Sequence, residues 1–550
     1  MTQKRFEILG KMSAKKPEIQ DIISLLLANR GFKTSAEISD FLSPSLDMLT
    51  AKQVKIKATE MKKALARIDQ AIAENEEVVI FGDYDVDGIT ATAILWETLY
   101  KKTKHVIPYI PDRIEEGYGL SVKGISHVVS EHPNTSLIIT VDNGIVAHGG
   151  VDFAKEKGID VIVTDHHVAG ETLPQAFAIV HTTELCGAGI AYLVAREISG
   201  KQENDDHLEL AALGTIADLV PLTNANRAIV KFGIEKLKET SRLGLKALYQ
   251  AARIEPTAID TYGVGHMIAP RLNATGRLAS AMDSLRLLCT HDTTRANELA
   301  EYLEKTNRER QLLMREATEH AVVLAQKTIA INKLIIVAHE SYQQGVIGLV
   351  AGRLVEEYYR PSIVISLGEK ESKASARSIS GFNIIETLRK SSNLLIDVGG
   401  HPMAAGFTIE TRRIEEFKLA LEVLSQPLLT DEVLERKLRI DCELPLTLVD
   451  NKFYDAVQTL SPFGMGNPEP VFLTKNVEVL DIRAIGRDGA HLKMTLRQGK
   501  KSFDAIGFGM GELASEISSG DKISAVYTVD KNTWNGNTKL QLKIKEIKLS

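Results

Sequence analysis

Cysteine is scarce in this chain of 550 residues. The three cysteines, Cys186, Cys289 and Cys442, stand far apart and form no CxxC pair, so they indicate neither a disulfide framework nor a structural zinc site. Long hydrophobic runs are also missing: no segment approaches the roughly 20 apolar residues of a membrane span, and the first residues contain no apolar leader. We therefore expect a cytoplasmic protein that has no contact with a membrane.

A surplus of positive charge is the second absence. The formal net charge is −6, which excludes a general attraction of the whole surface to nucleic acid, because that attraction comes from neutralised phosphates. Any contact with DNA must be local, through a basic groove or bound cations. The length exceeds what one hydrophobic core supports, and 44% hydrophobic residues are typical of a folded globular protein. We expect three or four domains.

The hydrophobic pattern divides the chain into five parts. Residues 1–55 are polar and helical in pattern and are predicted to form an N-terminal helical cap. Apolar runs then alternate with amphipathic stretches, which predicts an α/β domain with a mostly parallel sheet over residues 56–292. Residues 293–327 contain no Pro or Gly and predict a connecting helix, and residues 328–430 predict a second α/β unit. Short strands and turns in residues 431–550 favour a small β-barrel such as an OB-fold. The expected fold class is therefore α/β, with two α/β units joined by a long helix and followed by a barrel.

Three predicted strands of the first unit are followed by residues of the types that bind metals in proteins. These are Asp83, Asp85 and Asp87 after the apolar run 78–81, Asp142 after the run 137–141, and Asp165, His166 and His167 after the run 161–163. The C-terminal ends of parallel strands lie on one edge of a sheet, so these side chains should converge. Clustered carboxylates repel one another unless cations lie between them, and oxygen-rich ligands with imidazole favour Mn²⁺ or Mg²⁺. Bridging carboxylates suggest two ions about 3.5–4 Å apart, an arrangement that hydrolyses phosphate esters.

Each of these strings has a plainer interpretation when it stands alone. DYDVDG at residues 83–88 is also typical of a calcium loop or an acidic turn. VDNG at residues 141–144 is often only the turn after a strand, and a pair of histidines is often structural. Their occurrence together, each after a predicted buried strand, favours the metal site.

The strings DYDVDG, VDNG and TDHH, followed by GTIADLVPL at residues 214–222, resemble the four motifs of the DHH phosphoesterases in the same order. The two α/β units would then be the DHH domain and the DHH-associated domain. This resemblance implies that the metal ligands are Asp83, Asp85, Asp87, Asp142, His166 and Asp218. Asp83 would be either a ligand or a hydrogen-bonding partner of one. His167 would face the scissile phosphate or the leaving oxygen, and Asp165 would orient the histidines.

Further segments resemble the RecJ branch of that family. They are IPYIPDR at residues 107–113, RLNATGR at 271–277, SARS at 375–378, GGH at 399–401 and PFGMGNPEP at 462–470. Two arginines six residues apart around a glycine can hold phosphate oxygens, although a salt-bridged helix end is the alternative. In the barrel, an aromatic side chain can act as a stacking platform for a base. The substrate-binding residues implied are Arg113, Arg271, Asn273, Arg277, Ser375, Arg377, Ser378, Gly399, Gly400, His401 and Trp534.

This resemblance implies an exonuclease that degrades single-stranded DNA from its 5′ end to 5′ mononucleotides, with two Mn²⁺ or Mg²⁺ ions, in DNA repair and recombination. Replication or repair proteins such as a single-strand-binding protein or a helicase would be partners, and we expect a monomer. One alternative is a nanoRNase or cyclic-dinucleotide phosphodiesterase, which the C-terminal barrel argues against. Another is a catalytically silent DNA-binding scaffold, which the full set of ligand types argues against.

Overall fold

The fold is described from a computed structural model, which describes residues 4–11, 18–113, 115–117, 119–200, 207–329, 332–534 and 537–549. The α-helices are α1 (Ile19–Asn29), α2 (Ser35–Leu42), α3 (Ala58–Ala73), α4 (Val86–Tyr100), α5 (Val122–Glu131), α6 (His148–Glu156), α7 (Gly187–Ser199), α8 (Leu208–Ala217), α9 (Asn224–Lys238), α10 (Leu243–Ala252), α11 (Thr261–Gly263), α12 (Ala269–Leu278), α13 (Met282–Cys289), α14 (Thr293–Thr328), α15 (Ile347–Tyr358), α16 (Ile384–Arg389), α17 (Ile414–Ser425), α18 (Asp431–Leu434) and α19 (Asn451–Gln458). The strands are β1 (Arg5–Ile8), β2 (Glu77–Phe81), β3 (Val106–Tyr109), β4 (Thr135–Val141), β5 (Asp160–Asp165), β6 (Ala178–His181), β7 (Ile335–His339), β8 (Ser362–Ser366), β9 (Glu371–Arg377), β10 (Leu395–His401), β11 (Ala404–Glu410), β12 (Lys437–Ile440), β13 (Cys442–Glu443), β14 (Phe472–Ile485), β15 (His491–Gln498), β16 (Lys501–Gly507), β17 (Lys522–Trp534) and β18 (Asn537–Leu549).

The first sheet has the order β3-β2-β4-β5-β6, and all of its strands are parallel. Val78 and Ile80 of β2 belong to the core that this sheet forms with α4, α7 and α8. Val79 and Phe81 belong to the core on the other face, under α5 and α6. Because helices cover both faces, each strand is apolar on both sides, which explains the continuous apolar runs in the sequence. The predicted parallel sheet is confirmed.

The connecting helix α14 is 36 residues long and contributes to two hydrophobic cores. Leu299 and Leu303 belong to the core of the first unit, whereas Ala321 and Ala325 belong to a core of the second. One rigid helix therefore sets the two units relative to each other. No helix among the described residues, α14 included, is long and apolar enough to cross a membrane.

The second unit has a mixed sheet in the order β10-β11-β9-β8-β7. β7 and β8 are parallel, and the other neighbouring strands are antiparallel. The central strand β9 pairs Ser375 with Gly406 of β11 and with Val364 of β8. The second α/β unit predicted from the sequence is thus present.

The C-terminal sheet closes into a barrel. Its order is β13-β14-β15-β16-β18-β17, and an additional pairing of β14 with β17 completes the closure. Val477, Leu492 and Ala525 from three of these strands share one core. The predicted OB-type barrel is confirmed, although β17 and β18 run to 13 residues each and exceed the predicted short strands.

The N-terminal segment is not wholly helical, contrary to the prediction. β1 pairs in parallel with β12, so that Arg5 lies opposite Lys437. A four-residue strand whose partner lies so far along the chain has no periodic pattern of its own, and sequence inspection therefore missed it. α1 buries Ile22 and Leu26 in the same core as Phe453 of the barrel domain. This segment thus packs against the barrel, while the boundaries of the five predicted parts stay predictions.

Candidate metal and phosphate site

Three strand ends of the first sheet meet at one edge. Asp83 follows β2, Asp142 follows β4 and His166 follows β5. His166 Nε2 lies 3.1 Å from Asp142 Oδ1, 3.6 Å from Asp218 Oδ2 and 3.8 Å from Asp87 Oδ2. Three sets of side chains each place one potential ligand atom per residue within 4.8 Å of the others in the set. The sets are Asp142, His166 and His167; Asp87, His166 and Asp218; and Asp83, Asp85 and Asp142. The structure therefore brings together all the side chains predicted to hold metal.

The carboxylate of Asp218 comes from a helix end instead of a strand end. α8 ends at Ala217, directly before Asp218, and packs closely against α4 and α7. A Cβ on Gly214 of α8 would lie 2.6 Å from Asp87 Oδ1 and 2.4 Å from Ala188 Cβ. Glycine is therefore needed at position 214 for α8 to bring Asp218 to the site.

The N-terminus of α7 holds another of the carboxylates. The backbone N–H groups of Gly187 and Ala188 donate to the two oxygens of Asp87, at 2.6 and 2.8 Å. A Cβ on Gly187 would lie 2.5 Å from the Cβ of Asp142. The positive end of a helix dipole stabilises a carboxylate placed there. Gly187 is thus a site residue that sequence inspection did not single out.

Burial makes this carboxylate cluster unfavourable without cations. Desolvation, followed by repulsion from Asp87 and Asp85, raises the pKa of Asp142 well above its ordinary value. The same causes raise the pKa of Asp218 to about 8. Desolvation and the charge of Asp85 likewise raise the pKa of Asp83. A bound cation would favour the charged form of each group.

Two buried ligand atoms test whether divalent ions fit this site. Asp142 Oδ1 and His166 Nε2 lie 3.1 Å apart, yet they make no hydrogen bond with each other or with any other group in the described part of the chain. Leaving such an atom buried and unpaired costs about 1–3 kcal/mol. Carboxylate oxygens with an imidazole nitrogen form a donor set suited to Mn²⁺ or Mg²⁺. The residues present therefore fit divalent ions of this kind.

Asp165 lies next to the cluster and orients His167. One of its oxygens accepts a hydrogen bond from the Ile145 N–H at 2.8 Å, and the other lies 2.8 Å from His167 Nδ1. Burial disfavours the charged imidazole of His167, yet the hydrogen bond and charge of Asp165 outweigh it and raise the pKa of His167 to about 9. His167 can therefore carry a proton at neutral pH, with its Nδ1 fixed by Asp165.

Four arginines, Arg113, Arg277, Arg310 and Arg377, form a second cluster, here called the arginine cluster. Burial, then the charges of Arg113 and Arg310, lower the pKa of Arg277 to about 10. Burial and the charge of Arg113 lower the pKa of Arg377. No described acidic side chain contributes to the shifts of Arg277, Arg310 or Arg377. Buried guanidinium groups without acidic partners are complementary to a phosphate.

The arginine cluster adjoins the metal site. The Arg113 guanidinium lies 5.0 Å from the ring centre of Tyr84, within the DYDVDG loop. Burial and the charge of Asp85 raise the pKa of Asp83, and the charge of Arg113 offsets a small part of that rise. Arg310, on α14, was not predicted as a site residue, because it is one charged residue among many in a helical sequence.

The second α/β unit closes the site from the opposite side. Arg377 Nη1 donates to Ser375 Oγ at 3.2 Å, and a Cβ on Gly348 of α15 would lie 2.9 Å from Arg377 Nη2. The ring centre of His401 lies 6.3 Å from that of His167. The two units thus bring His401 and Arg377 to the edge where the metal ligands lie.

Gly399 and Gly400 precede His401 at the exposed end of β10. The φ angle of Gly400 is 139°, and a Cβ there would lie 2.4 Å from the carbonyl oxygen of Ala404. The backbone conformation and the close contact therefore require glycine at position 400, whereas a Cβ on Gly399 would meet open space.

Several residues predicted to bind substrate have other partners. Arg271 donates to Glu304 of α14 at 2.6 Å, so the salt-bridge interpretation of this arginine holds. The sequence around Arg271 did not indicate this ion pair, because the acid comes from another helix. Asn273 Oδ1 accepts from a backbone N–H of the DYDVDG loop at 3.0 Å and so supports that loop. Ser378 is 4% exposed and donates to a backbone carbonyl four residues onward at 2.6 Å, which leaves little of it for substrate. The side chain of Trp534 lies outside the described residues.

Three family models match the chain. They are described as "DHH family, N-terminal domain" over residues 77–215, "DHHA1 domain" over residues 327–426, and "RecJ OB domain" over residues 440–546. Their order agrees with the order of the three sheets.

Curated proteins and solved structures are similar over nearly the whole chain. The single-stranded-DNA-specific exonuclease RecJ of Bacillus subtilis is 39% identical over 97% of this chain and 68% of its own length. The crystal structure of RecJ from Thermus thermophilus in complex with Mn²⁺ has a TM-score of 0.82 and 28% identity, covering 99% of this chain and 80% of that one. The structure of the same protein with Mg²⁺ has a TM-score of 0.76 and 26% identity, covering 99% and 78%.

Proposed function

The chain belongs to the RecJ family of DHH proteins, and we propose on this basis that it is an exonuclease specific for single-stranded DNA. It hydrolyses phosphodiester bonds from the 5′ end and releases 5′ mononucleotides, with divalent Mn²⁺ or Mg²⁺ as cofactor. Three curated relatives carry the name single-stranded-DNA-specific exonuclease RecJ, which supports the specificity for single-stranded DNA.

The observation that carries the proposal is the position of the arginine cluster beside the carboxylate cluster. The positive charge of Arg113 acts on the carboxyl group of Asp83, and it also acts on the guanidinium groups of Arg277 and Arg377. A strand whose 5′ phosphate is bound by these arginines places its first internal phosphodiester bond near the metal ligands. The proposed mononucleotide product requires that one nucleotide span the space between the two clusters.

Two ions would be held by Asp85, Asp87, Asp142, His166 and Asp218, with Asp83 as a ligand or a partner of one. When bound, the ions supply Lewis-acid polarisation of the scissile phosphate and of the attacking water. Without cations, the raised pKa values of Asp142 and Asp218 favour their protonated forms, so metal binding is linked to the release of protons from these carboxyl groups.

His167 is the general acid in this proposal. Asp165 Oδ1 lies 2.8 Å from its Nδ1 and fixes the orientation of the imidazole ring. Its pKa of about 9 keeps it protonated at neutral pH, so Nε2 can donate a proton to the leaving 3′ oxygen. His401 approaches from the second unit and, with Arg377 and Ser375, binds phosphate oxygens of the strand.

The surroundings of the site supply the preference for single strands. In this proposal the strand runs between the two α/β units, in a groove that excludes a duplex, and continues to the barrel, with Trp534 assigned as a stacking platform for a base. We assign the protein to the cytoplasm, as a monomer, in DNA repair and recombination. Its protein partners are a single-strand-binding protein or a helicase.

The test uses the purified chain with Mn²⁺ and a long single strand labelled at either end in separate reactions, beside the matching duplex and a dinucleotide. We expect mononucleotide to be released first from the 5′ label on single strands. Release from the 3′ label first, or equal cleavage of the duplex, would overturn the proposal. Cleavage confined to the dinucleotide would identify a small-substrate phosphodiesterase instead.

Two variants tie the activity to the two clusters. Asp142→Ala removes a central carboxylate and should lower the rate by at least about 1,000-fold, a typical scale for losing an essential catalytic group. Arg377→Gln should reduce the preference for a 5′ phosphate over a 5′ hydroxyl. Arg353→Gln is the matched control, since Arg353 lies on the exposed face of α15 in an ion pair with Glu356. Full activity of Asp142→Ala would refute the site assignment.

A further inference from the structure

Arg113 lies on a loop, unlike the other members of the arginine cluster. Arg277 belongs to α12, Arg310 to α14 and Arg377 to β9, whereas Arg113 lies between β3 and α5. A long side chain on a loop loses conformational freedom when it binds a ligand, unless its backbone is already held in place. The position of Arg113 therefore depends on what fixes this loop.

Glu116 joins the loop to both neighbouring elements. Its Oε2 accepts a hydrogen bond from the hydroxyl of Tyr109, the last residue of β3. Its Oε1 lies 3.2 Å from Nδ1 of His127, which belongs to α5. His127 Nδ1 also lies 3.0 Å from the Tyr109 hydroxyl, so the three groups form a closed triangle. A strand, a loop and a helix are thus joined through one carboxylate.

The backbone of the loop is held at the same residue. The Glu116 N–H donates to the carbonyl of Asp112 at 2.9 Å, which makes a turn around Arg113. The Glu116 carbonyl accepts from Ser121 Oγ at 2.9 Å, at the N-terminus of α5. The Glu116 side chain is only 12% exposed although the loop lies at the surface. Gly124 permits this burial, because a Cβ there would lie 3.3 Å from Glu116 Oε2.

The charges around the triangle favour the same arrangement. Hydrogen bonding to Glu116 raises the pKa of His127 and outweighs the partial burial of the ring. The charges of Glu116 and Glu131 raise this pKa further. A positively charged His127 strengthens its hydrogen bond to the carboxylate. None of the three side chains of the triangle is a proposed metal ligand. Tyr109 also packs against Phe81 of β2, with ring centres 5.1 Å apart, so KM reports on the loop and kcat reports on any effect at the metal site.

We propose that Glu116 is a positioning residue, which, through Tyr109 and His127, fixes the loop that presents Arg113 to the 5′ end of the substrate. This inference rests on the proposed function, in which Arg113 binds that end. Its effect is on binding and not on the chemical step, because Glu116 contacts neither the metal ligands nor His167.

The experiment compares KM and kcat of Glu116→Gln with those of the unaltered chain on a 5′-phosphorylated single strand. We expect KM to rise about tenfold, the effect of losing roughly one charge-assisted hydrogen bond, and kcat to change less than twofold. Tyr109→Phe removes only the hydroxyl and should raise KM by a smaller factor. Glu115→Gln is the matched control, with the same change of charge in the same loop but no part in the triangle, and should leave KM unchanged.

A double-mutant cycle with Arg113→Gln decides whether Glu116 acts through Arg113. In that background, Glu116→Gln should raise KM no further. An equal rise in both backgrounds, a fall in kcat alone, or the same rise for Glu115→Gln would overturn the inference. If Glu116→Gln fails to fold, as judged by circular dichroism, the same cycle is run with Tyr109→Phe. Absence of 5′ exonuclease activity in the unaltered chain would refute the proposed function itself, which is a separate outcome.

Discussion

Asp218→Asn should make the metal-free protein more stable and the manganese-bound protein less stable than the unaltered chain. Without ions, desolvation and the charges of Asp87 and Asp85 raise the pKa of Asp218 to about 8. A carboxyl whose pKa is raised on folding costs stability once the pH exceeds its unfolded pKa. An amide at position 218 removes that cost, but it is a poorer metal ligand.

The size of the effect follows from the shift in pKa. The unfolded pKa of an aspartate is about 3.9, so at pH 7 the cost extends over about three pH units, or about 4 kcal/mol. Asp85, whose pKa is raised by burial and by the charge of Asp87, relieves part of the same repulsion when it takes up a proton. We therefore expect a gain of about 2–4 kcal/mol, or roughly 5–10 °C in the unfolding midpoint. The gain should be present at pH 7–8 and vanish below about pH 4.

The assay is thermal unfolding in EDTA and in a titration with MnCl₂. At a concentration 100 times its dissociation constant, one bound ion adds about 2.7 kcal/mol to the unaltered chain, and Asp218→Asn should lose much of that gain. Asp152→Asn is the control, because Asp152 is an exposed carboxylate of α6 outside the site. A variant that is less stable than the unaltered chain in EDTA, or that gains as much from Mn²⁺, would refute the reasoning.

Three further predictions concern stability and packing. Burial raises the pKa of Glu97, but hydrogen bonding to Arg242 outweighs burial and lowers that pKa to about 2. Glu97→Gln should therefore reduce the free energy of unfolding by about 3 kcal/mol at pH 7, measured by urea unfolding. The variant should also lose part of the fall in stability between about pH 4.5 and about pH 2. Arg227→Met should lower stability by about 3 kcal/mol in the same assay, since the fully buried guanidinium donates to several backbone carbonyls between the cap, the first unit and the barrel. Gly214→Ala should abolish Mn²⁺-dependent stabilisation and cleavage, because the new methyl group would lie 2.6 Å from a site carboxylate. Gly352→Ala is the control and should preserve both, since a Cβ at this helical glycine would have nothing within 4 Å. Equal behaviour of the two variants would contradict the packing argument.

The convergence of the carboxylates could be predicted because it follows from local pattern. Asp142 and His166 each come after an apolar run, and parallel strands place their C-terminal ends on one edge. The structure places their ligand atoms 3.1 Å apart. Asp218 follows a helix, whose direction no strand pattern predicts, and only the resemblance to a family identified it. The strand β1 was missed for a related reason, since its partner lies at the far end of the chain.

Only the resemblance to a family predicted phosphate-binding roles for arginines, because tertiary packing alone decides which charges lose contact with water. Arg308 and Arg310 lie two residues apart on α14, yet the Arg308 side chain is 70% exposed and pairs with Glu304, whereas Arg310 is 8% exposed and has no acidic partner among the described residues. Helical spacing places them on different faces, but only the packing of α14 against the first unit determines which face is buried. Arg271 illustrates the converse, because Glu304 neutralises it from a separate helix. An arginine is available to a phosphate when the fold removes water without supplying an acid or, as around Arg227, a set of backbone carbonyls, and that condition belongs to the assembled structure.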